Sequence, residues 1–273
     1  MIRPLGQADR EFGRLAIVNR PVLFLDLDGT LAPLVDWPRE KARVPPATRQ
    51  VLQSLRKCGA EVIIVSGRDV DGVMGVLRTP VDAVIGNHGA DLLEGADRRR
   101  WLHGDPRRLR RAARFLDDWF RNWPNVWVQT KPYSIAIHWR GSTEFGKKVW
   151  EETAELLLGW GLDAHTGRRV IDVRLPGVNK GRAVLGWLRT REPGAIRRGM
   201  VCYAGDDTTD EYAFEALEGR AMTIVVGKRA RGAAYRTASP ASLTRWLRRL
   251  ASERKSRKDR SITEYRVPST EES

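Results

Sequence analysis

Short runs rich in Val, Ile, Leu and Phe alternate with amphipathic helical patterns through the first and last thirds of the chain, and that alternation admits few folds. Val22-Leu23-Phe24-Leu25, Glu61-Val62-Ile63-Ile64-Val65 and Ala83-Val84-Ile85 read as strands, with helices predicted over 48–57 and 69–77 between them. The same order returns as helix 180–188, strand Met200-Val201-Cys202-Tyr203, helix 211–217, strand Thr223-Ile224-Val225-Val226 and helix 242–250. Near-continuous apolar strands separated by helices belong to a parallel sheet covered on both faces. The two thirds are therefore expected to share one sheet of an α/β domain.

The middle third follows another pattern. Helix 107–121 leads to Val126-Trp127-Val128 and Ser134-Ile135-Ala136-Ile137-His138, a hairpin across Lys131-Pro132-Tyr133. Helix 143–158 then precedes strands 162–165 and 170–173, joined across Thr166-Gly167-Arg168. This α-β-β-α-β-β order predicts an α+β unit over 105–177, antiparallel with helices on one face, inserted between the core segments 1–104 and 178–250. Trp119, Trp123 and Trp127 read as core aromatics of the insert. After about residue 251 the chain becomes polar and nearly balanced in charge, and 251–273 reads as a disordered tail.

Hydrophobic residues at 41% are ample for a core, which excludes a disordered chain. Lys and Arg number 48 against 34 acidic residues, a net charge of +14. The excess is densest over 98–114, which reads as a loop followed by the solvated face of a helix, a surface that attracts anionic substrates rather than a nucleic-acid footprint. Cys58 and Cys202 stand far apart with no CxxC, so neither a disulfide framework nor a zinc site is expected. A monomer in a reducing cytoplasm fits. The amino-terminal residues lack the apolar stretch of a signal peptide, and no uncharged apolar run approaches 18 residues, so neither secretion nor membrane insertion is expected.

The chemistry is concentrated at strand ends. Asp26-Leu27-Asp28-Gly29-Thr30-Leu31 follows the first of the strands above, and Gly205-Asp206-Asp207-Thr208-Thr209-Asp210-Glu211 follows a late one. Ligands of open α/β sheets bind beyond the carboxyl ends of the strands. So many acids there repel one another unless a cation such as Mg²⁺ sits among them. Ser66-Gly67-Arg68 ends a second strand, and Lys180-Gly181 opens a helix.

In this order DLDGTL, the Ser of VSGR, the Lys of VNKG and the acids of GDDTTDE resemble the four motifs of the haloacid dehalogenase (HAD) superfamily of phosphotransferases. More closely, DLDGTLAPL, SGR, GNHG, the segment 129–140, VNKG and GDDTTDE resemble the trehalose-6-phosphate phosphatases, over about 22–250. The resemblance implies a Rossmann-like HAD core with the insert as cap, and Mg²⁺-dependent hydrolysis of a sugar phosphate in trehalose biosynthesis. It implies Asp26 as the nucleophile that forms an aspartyl-phosphate and Asp28 as general acid and base, with Ser66 and Lys180 on the phosphoryl oxygens. Mg²⁺ would sit between Asp26, the Asp28 carbonyl and Asp206, with Asp207 and Asp210 in support, while Gly29 allows a sharp exit into the loop 31–43. Arg68, Asn87, His88, Gln129, Lys131, Ser134, His138, Arg140 and Asp172 are the implied substrate-binding residues.

Two positions depart from the family pattern. Gln129 stands where Glu is usual, and Asp172 replaces a Glu with a shorter side chain. Both fall where sugar hydroxyls are expected, so phosphatase chemistry is better supported than the sugar. Sucrose 6-phosphate, a glycosyl-3-phosphoglycerate or another phosphorylated sugar stays open as substrate. So does a basic binding or regulatory protein of weak activity, against which the intact set of carboxylates stands.

Overall fold

The computed structural model describes residues 2–35, 41–101, 105–167, 169–227 and 231–264, with side chains through 260. Part of the loop 31–43, Arg168 of the expected turn and the end of the expected tail lie outside the described residues.

In chain order the elements are β1 (Arg3–Pro4), α1 (Asp9–Ile17), β2 (Val22–Leu25), α2 (Pro46–Lys57), β3 (Glu61–Val65), α3 (Val70–Leu77), β4 (Ala83–Gly86), β5 (Asp91–Glu94) and β6 (Asp97–Arg100). Then come α4 (Pro106–Phe120), β7 (Val126–Thr130), β8 (Ser134–Trp139), α5 (Thr143–Leu156), β9 (Asp163–Gly167) and β10 (Val170–Arg174). The chain continues through α6 (Lys180–Arg191), β11 (Val201–Gly205), α7 (Thr208–Ala216), β12 (Met222–Val226), β13 (Tyr235–Thr237) and α8 (Pro240–Glu264).

The first and last thirds do share one sheet, of order β1-β13-β12-β11-β2-β3-β4-β5-β6. It is parallel from β1 to β4 and closes with two antiparallel strands. The period-2 alternation of its strands separates two cores. Leu23, Leu25, Val62, Ile64 and Ala204 face α1, α2, α3 and α8. Val22, Phe24, Ile63, Val65 and Tyr203 face α6 and α7. The middle of the sheet joins β2 to β11, with Leu25 opposite Ala204, and so places the two acidic motifs side by side.

The second sheet, β7-β8-β10-β9, is antiparallel. Ile135, Ile137, Ile171 and Val173 pack from it against Leu109, Leu116 and Phe120 of α4 and Val149 of α5. The opposite face carries Ser134, Asp172, Arg174 and His165. This is the α/β core with a cap-like α+β unit that the sequence predicts.

Three readings need correction. Residues 98–100 are strand, not loop: β6 pairs with β5 across the Gly95-Ala96 turn, and Arg98 and Arg99 sit on Asp91 and Glu94. Part of the basic excess is therefore paired within the sheet edge. Residues 251–264 continue α8 instead of forming a tail, because Ala251 and Arg254 are buried against the core. Trp119 is 46% exposed and lies beside Phe115 on the outer side of α4, and Trp127, between Val126 and Val128 on β7, faces away from the core those two join, so of the three tryptophans only Trp123 packs against that core. Among the described residues no helix is long and apolar enough to cross a membrane.

Candidate active site

Backbone pairing sets the first carboxylates. Asp26, directly after β2, donates its N–H to the Ala204 carbonyl at 2.9 Å, and Asp206 follows β11 on the neighbouring strand. The loop leaving β2 passes Asp206 closely enough to require glycine: Gly29 has φ +85°, and a Cβ there would lie 2.0 Å from Asp206 Oδ2. Thr30 Oγ1 donates to Asp206 Oδ1 at 3.3 Å.

Lys180, the first residue of α6, crosses the site. Its Nζ donates to Asp26 Oδ1 and to Asp210 Oδ1, both at 2.8 Å, and all three side chains are buried. Asp210 also accepts from the Tyr203 hydroxyl at 2.5 Å and from the N–H groups of residues 206 and 207. Its carboxylate therefore fixes the loop after β11 and holds the lysine. Burial works against charge on Lys180, but Asp210 and Asp26 outweigh it and keep the ammonium protonated.

Oxygens of Asp26, Asp206 and Asp210 lie within 4.8 Å of one another. Burial pushes Asp26 up to about 7 against the pull of Lys180. Burial and the negative neighbours Asp26 and Asp210 push Asp206 up to about 9. One ammonium among three close acids is too little positive charge for all to ionise. A cluster of hard carboxylate oxygens that needs further cationic charge fits Mg²⁺. Asp207 and the Asp28 carboxylate are not part of this cluster. Asp207 is the N-cap of α7, accepting from the Thr208 N–H at 2.7 Å. Asp28 is held by Arg68 through Nε at 2.6 Å and Nη2 at 2.7 Å.

The third face of the site comes from the ends of β3 and β4. Ser66 is buried and accepts the Arg68 N–H at 3.1 Å, whereas the cap of α3 is Asp69, so Ser66 has no capping duty. Asn87 and His88 follow β4 with φ of +50° and +56°, a left-handed backbone that is costly without glycine and collects at functional sites. Their N–H groups, donating to Arg68 O at 2.7 Å and Ser66 O at 2.9 Å, hold that conformation. His88 lies so close over Gly67 that a Cβ there would sit 2.4 Å from His88 Cε1.

The core-facing side of the second sheet completes the surroundings. Asp172 Oδ2 lies 3.7 Å from His88 Nε2, joining core and cap. Burial drives His88 down to about 4, aided by Arg174, so the imidazole is neutral at pH 7. Burial favours a proton on Asp172, but His88, Lys131 and Arg174 overrule it and keep the carboxyl ionised. Ser134 is buried on the same face. Gln129 and His138 form a second group, with Oε1 and Nε2 3.0 Å apart, where His138 stacks on Trp127 and the Arg140 guanidinium lies over the Trp127 ring at 5.6 Å. The structure thus gathers Asp26, Ser66, Lys180 and Asp206 at the strand ends, Asn87, His88 and Asp172 at the seam, and Gln129, His138 and Arg140 at the β7 edge. Reading the sequence missed Tyr203, Thr30 and Arg174. For Arg174 a signal existed: it stands two residues after Asp172 on a strand and so shares its face.

Comparison with known proteins follows the same lines. The Trehalose-phosphatase family model matches residues 24–244. A trehalose-phosphate phosphatase of Mycobacterium marinum is 32% identical over 250 residues, 86% of this chain and 63% of its own length. A Mycobacterium tuberculosis protein described as an uncharacterized glycosyl hydrolase is 30% identical over 264 residues, 90% of this chain and 19% of its own. The chain therefore spans under two thirds of these curated relatives. Among solved structures, a trehalose-6-phosphate phosphatase related protein superposes with TM-score 0.68 at 26% identity, covering 85% of this chain and 97% of that one. The C-terminal domain of the Candida albicans trehalose-6-phosphate phosphatase gives TM-score 0.78 at 20% identity over 92% and 98% of the two chains, a likeness of fold.

Proposed function

The chain belongs to the trehalose-phosphatase family, and we propose that it hydrolyses the phosphate monoester of a sugar, trehalose 6-phosphate foremost, to the free sugar and phosphate. The observation that carries this reading is the buried Lys180 ammonium bridging Asp26, at the end of β2, and Asp210, in the first turn of α7, both at 2.8 Å. That arrangement orients one carboxylate for attack in a site poor in water. Lys180 occupies Oδ1 of Asp26, so Oδ2 attacks phosphorus in line and the phosphoryl group passes to Asp26. Asp28, in its protonated form and with one oxygen released by Arg68, would give that proton to the departing sugar oxygen and then take one from the water that cleaves the aspartyl-phosphate. Ser66 and Lys180 hold the phosphoryl oxygens as charge develops on them.

Asp26, Asp206 and the Asp28 carbonyl would hold Mg²⁺, with Asp210 orienting the loop beneath. The ion, when bound, neutralises phosphoryl charge and lets Asp26 and Asp206 ionise together. The seam residues Asn87, His88 and Asp172, with Lys131 and Ser134, would meet the sugar, and Gln129, His138 and Arg140 would read its far side. The reaction suits a monomer in the cytoplasm, where the thiols of Cys58 and Cys202 stay free.

The test is phosphate release with and without Mg²⁺ from trehalose 6-phosphate, sucrose 6-phosphate, glucose 6-phosphate and glucosyl-3-phosphoglycerate, with Asp26→Asn as control. Rapid Mg²⁺-dependent turnover of trehalose 6-phosphate, lost in the variant, is expected. Faster release from another sugar overturns the substrate and keeps the chemistry. No release from any of them overturns both.

A further inference from the structure

On β10, Ile171 and Val173 enter the core of the second sheet, which leaves Asp172 and Arg174 on the face turned toward the α/β core. Arg174 stands opposite Ser134 of β8 and Asp163 of β9, and its side chain is wholly inaccessible to solvent. Nη1 donates to the Val178 carbonyl at 3.4 Å. Nε and Nη2 have no hydrogen-bond partner among the described residues. Those two N–H groups form the guanidinium edge that grips a pair of oxygens side by side. An arginine serving structure alone would turn that edge onto a carboxylate, and Asp172 and Asp163 stand on the adjacent positions. Asp163 instead accepts the Gly177 N–H, and Asp172 Oδ1 is itself buried without a partner.

The unmatched groups cluster. Ser134 Oγ, His88 Nδ1 and both amide atoms of Asn87 are also buried and unpartnered. Leaving such groups unsatisfied carries a penalty, and here donors and acceptors from both units are left open at one seam. A phosphoryl group would satisfy the arginine but not the Asp172 carboxylate beside it. Hydroxyls donate and accept, so a polyhydroxylated ligand matches the mixture.

Resting on the phosphatase reading above, we propose that Arg174 is a sugar-recognising residue, whose Nε and Nη2 take two neighbouring oxygens of the leaving group while Asp172 accepts from a hydroxyl next to them. Arg174 is sealed from solvent in this arrangement, so a sugar reaches it only where the second sheet and the α/β core part to admit it, and esters too small to reach the second sheet do not engage it.

The experiment compares wild type with Arg174→Lys and Arg174→Met on trehalose 6-phosphate and on p-nitrophenyl phosphate, whose leaving group has no hydroxyls, with melting followed alongside. The ratio of kcat/KM for the sugar ester to that for the aryl ester is expected to fall about thirtyfold or more in Arg174→Met. Arg174→Lys, which keeps the charge but not the paired donors, should also lose at least about fivefold. Equal losses on both esters, or no loss on the sugar ester, overturn the assignment. If Arg174→Met fails to fold, the Lys variant decides by the same ratio. A wild type that cleaves the aryl ester and no sugar phosphate overturns the phosphatase reading of the sugar itself, a result distinct from an active wild type with indifferent variants.

Discussion

Arg68 closes both oxygens of the Asp28 carboxylate in a two-pronged pair, Nε to Oδ2 at 2.6 Å and Nη2 to Oδ1 at 2.7 Å. The same arginine accepts the Asn87 N–H on its carbonyl, so one residue ties the loop after β2 to those after β3 and β4. If Asp28 moves protons in the reaction, Arg68 sets where that carboxylate points. Asp28→Asn should lower kcat by about 10²- to 10⁴-fold, the range of general acid-base catalysis. Arg68→Met should lower it by a smaller factor and add little to Asp28→Asn. Steady-state kinetics of the double-mutant cycle checks this: losses that multiply freely would show that the two side chains act independently.

The acid cluster makes a prediction about metal. Asp26, Asp206 and Asp210 cannot all ionise on Lys180 alone, so a divalent cation is expected to bind the folded chain and raise its melting temperature. Saturation at about 100 times the dissociation constant corresponds to roughly 2.7 kcal/mol. Asp206→Asn removes a ligand without changing volume and should abolish the Mg²⁺ shift in differential scanning fluorimetry. A shift of equal size in the variant would place the ion elsewhere.

His88 links stability to pH. Burial drives its folded value down to about 4, whereas in the unfolded chain it titrates near 6.5. A depressed value means that the unfolded state binds the extra proton first. The stability is then complete above pH 6.5 and is lost as pH falls toward 4. Between pH 7 and pH 5 this single imidazole should cost about 2 kcal/mol. Urea unfolding at the two pH values, in wild type and His88→Gln, measures it. The variant should show a smaller drop by about that amount, and an identical drop would mean that His88 is free to protonate in the fold.

Much of this was legible because both its signals are local. Apolar runs such as Val22-Leu23-Phe24-Leu25 can serve only a strand covered on both faces, and acids directly after two such runs mark the crevice. What the sequence did not disclose depends on which residues the fold places around each side chain. Asp97-Arg98-Arg99-Arg100 looks like a solvated loop until Asp91, Asp71 and Glu94 are placed around it. Asp207 stands among the acids of its motif, yet it caps α7 and lies outside the group of close carboxylates formed by Asp26, Asp206 and Asp210. Trp119 has core composition and surface placement, because the apolar stripe of α4 is already filled by Leu109, Ala112, Leu116 and Phe120. The polar stretch after 251 conceals one residue, Arg254, that finds its partners 196 to 239 positions away.

That residue yields the last prediction. Arg254 Nη1 donates to the carbonyls of Leu15 at 2.8 Å and Val18 at 2.8 Å, and Nη2 to those of Asn19 at 3.2 Å and Cys58 at 2.9 Å. These oxygens end α1 and α2, where a helix leaves carbonyls without partners and where positive charge is favoured. One side chain of α8 therefore closes two other helices. Arg254→Met keeps much of the volume and strips these carbonyls of their donor, at about 1–3 kcal/mol for each left buried and unsatisfied. A loss of about 3 kcal/mol or more in chemical unfolding is expected, with kcat/KM of the folded enzyme within about twofold, since the site lies at the other end of the strands. Truncation after Leu250 should be at least as damaging. If Arg254→Met melts like wild type, these hydrogen bonds contribute little to stability; if the truncation does so as well, residues 251–264 are dispensable to the fold.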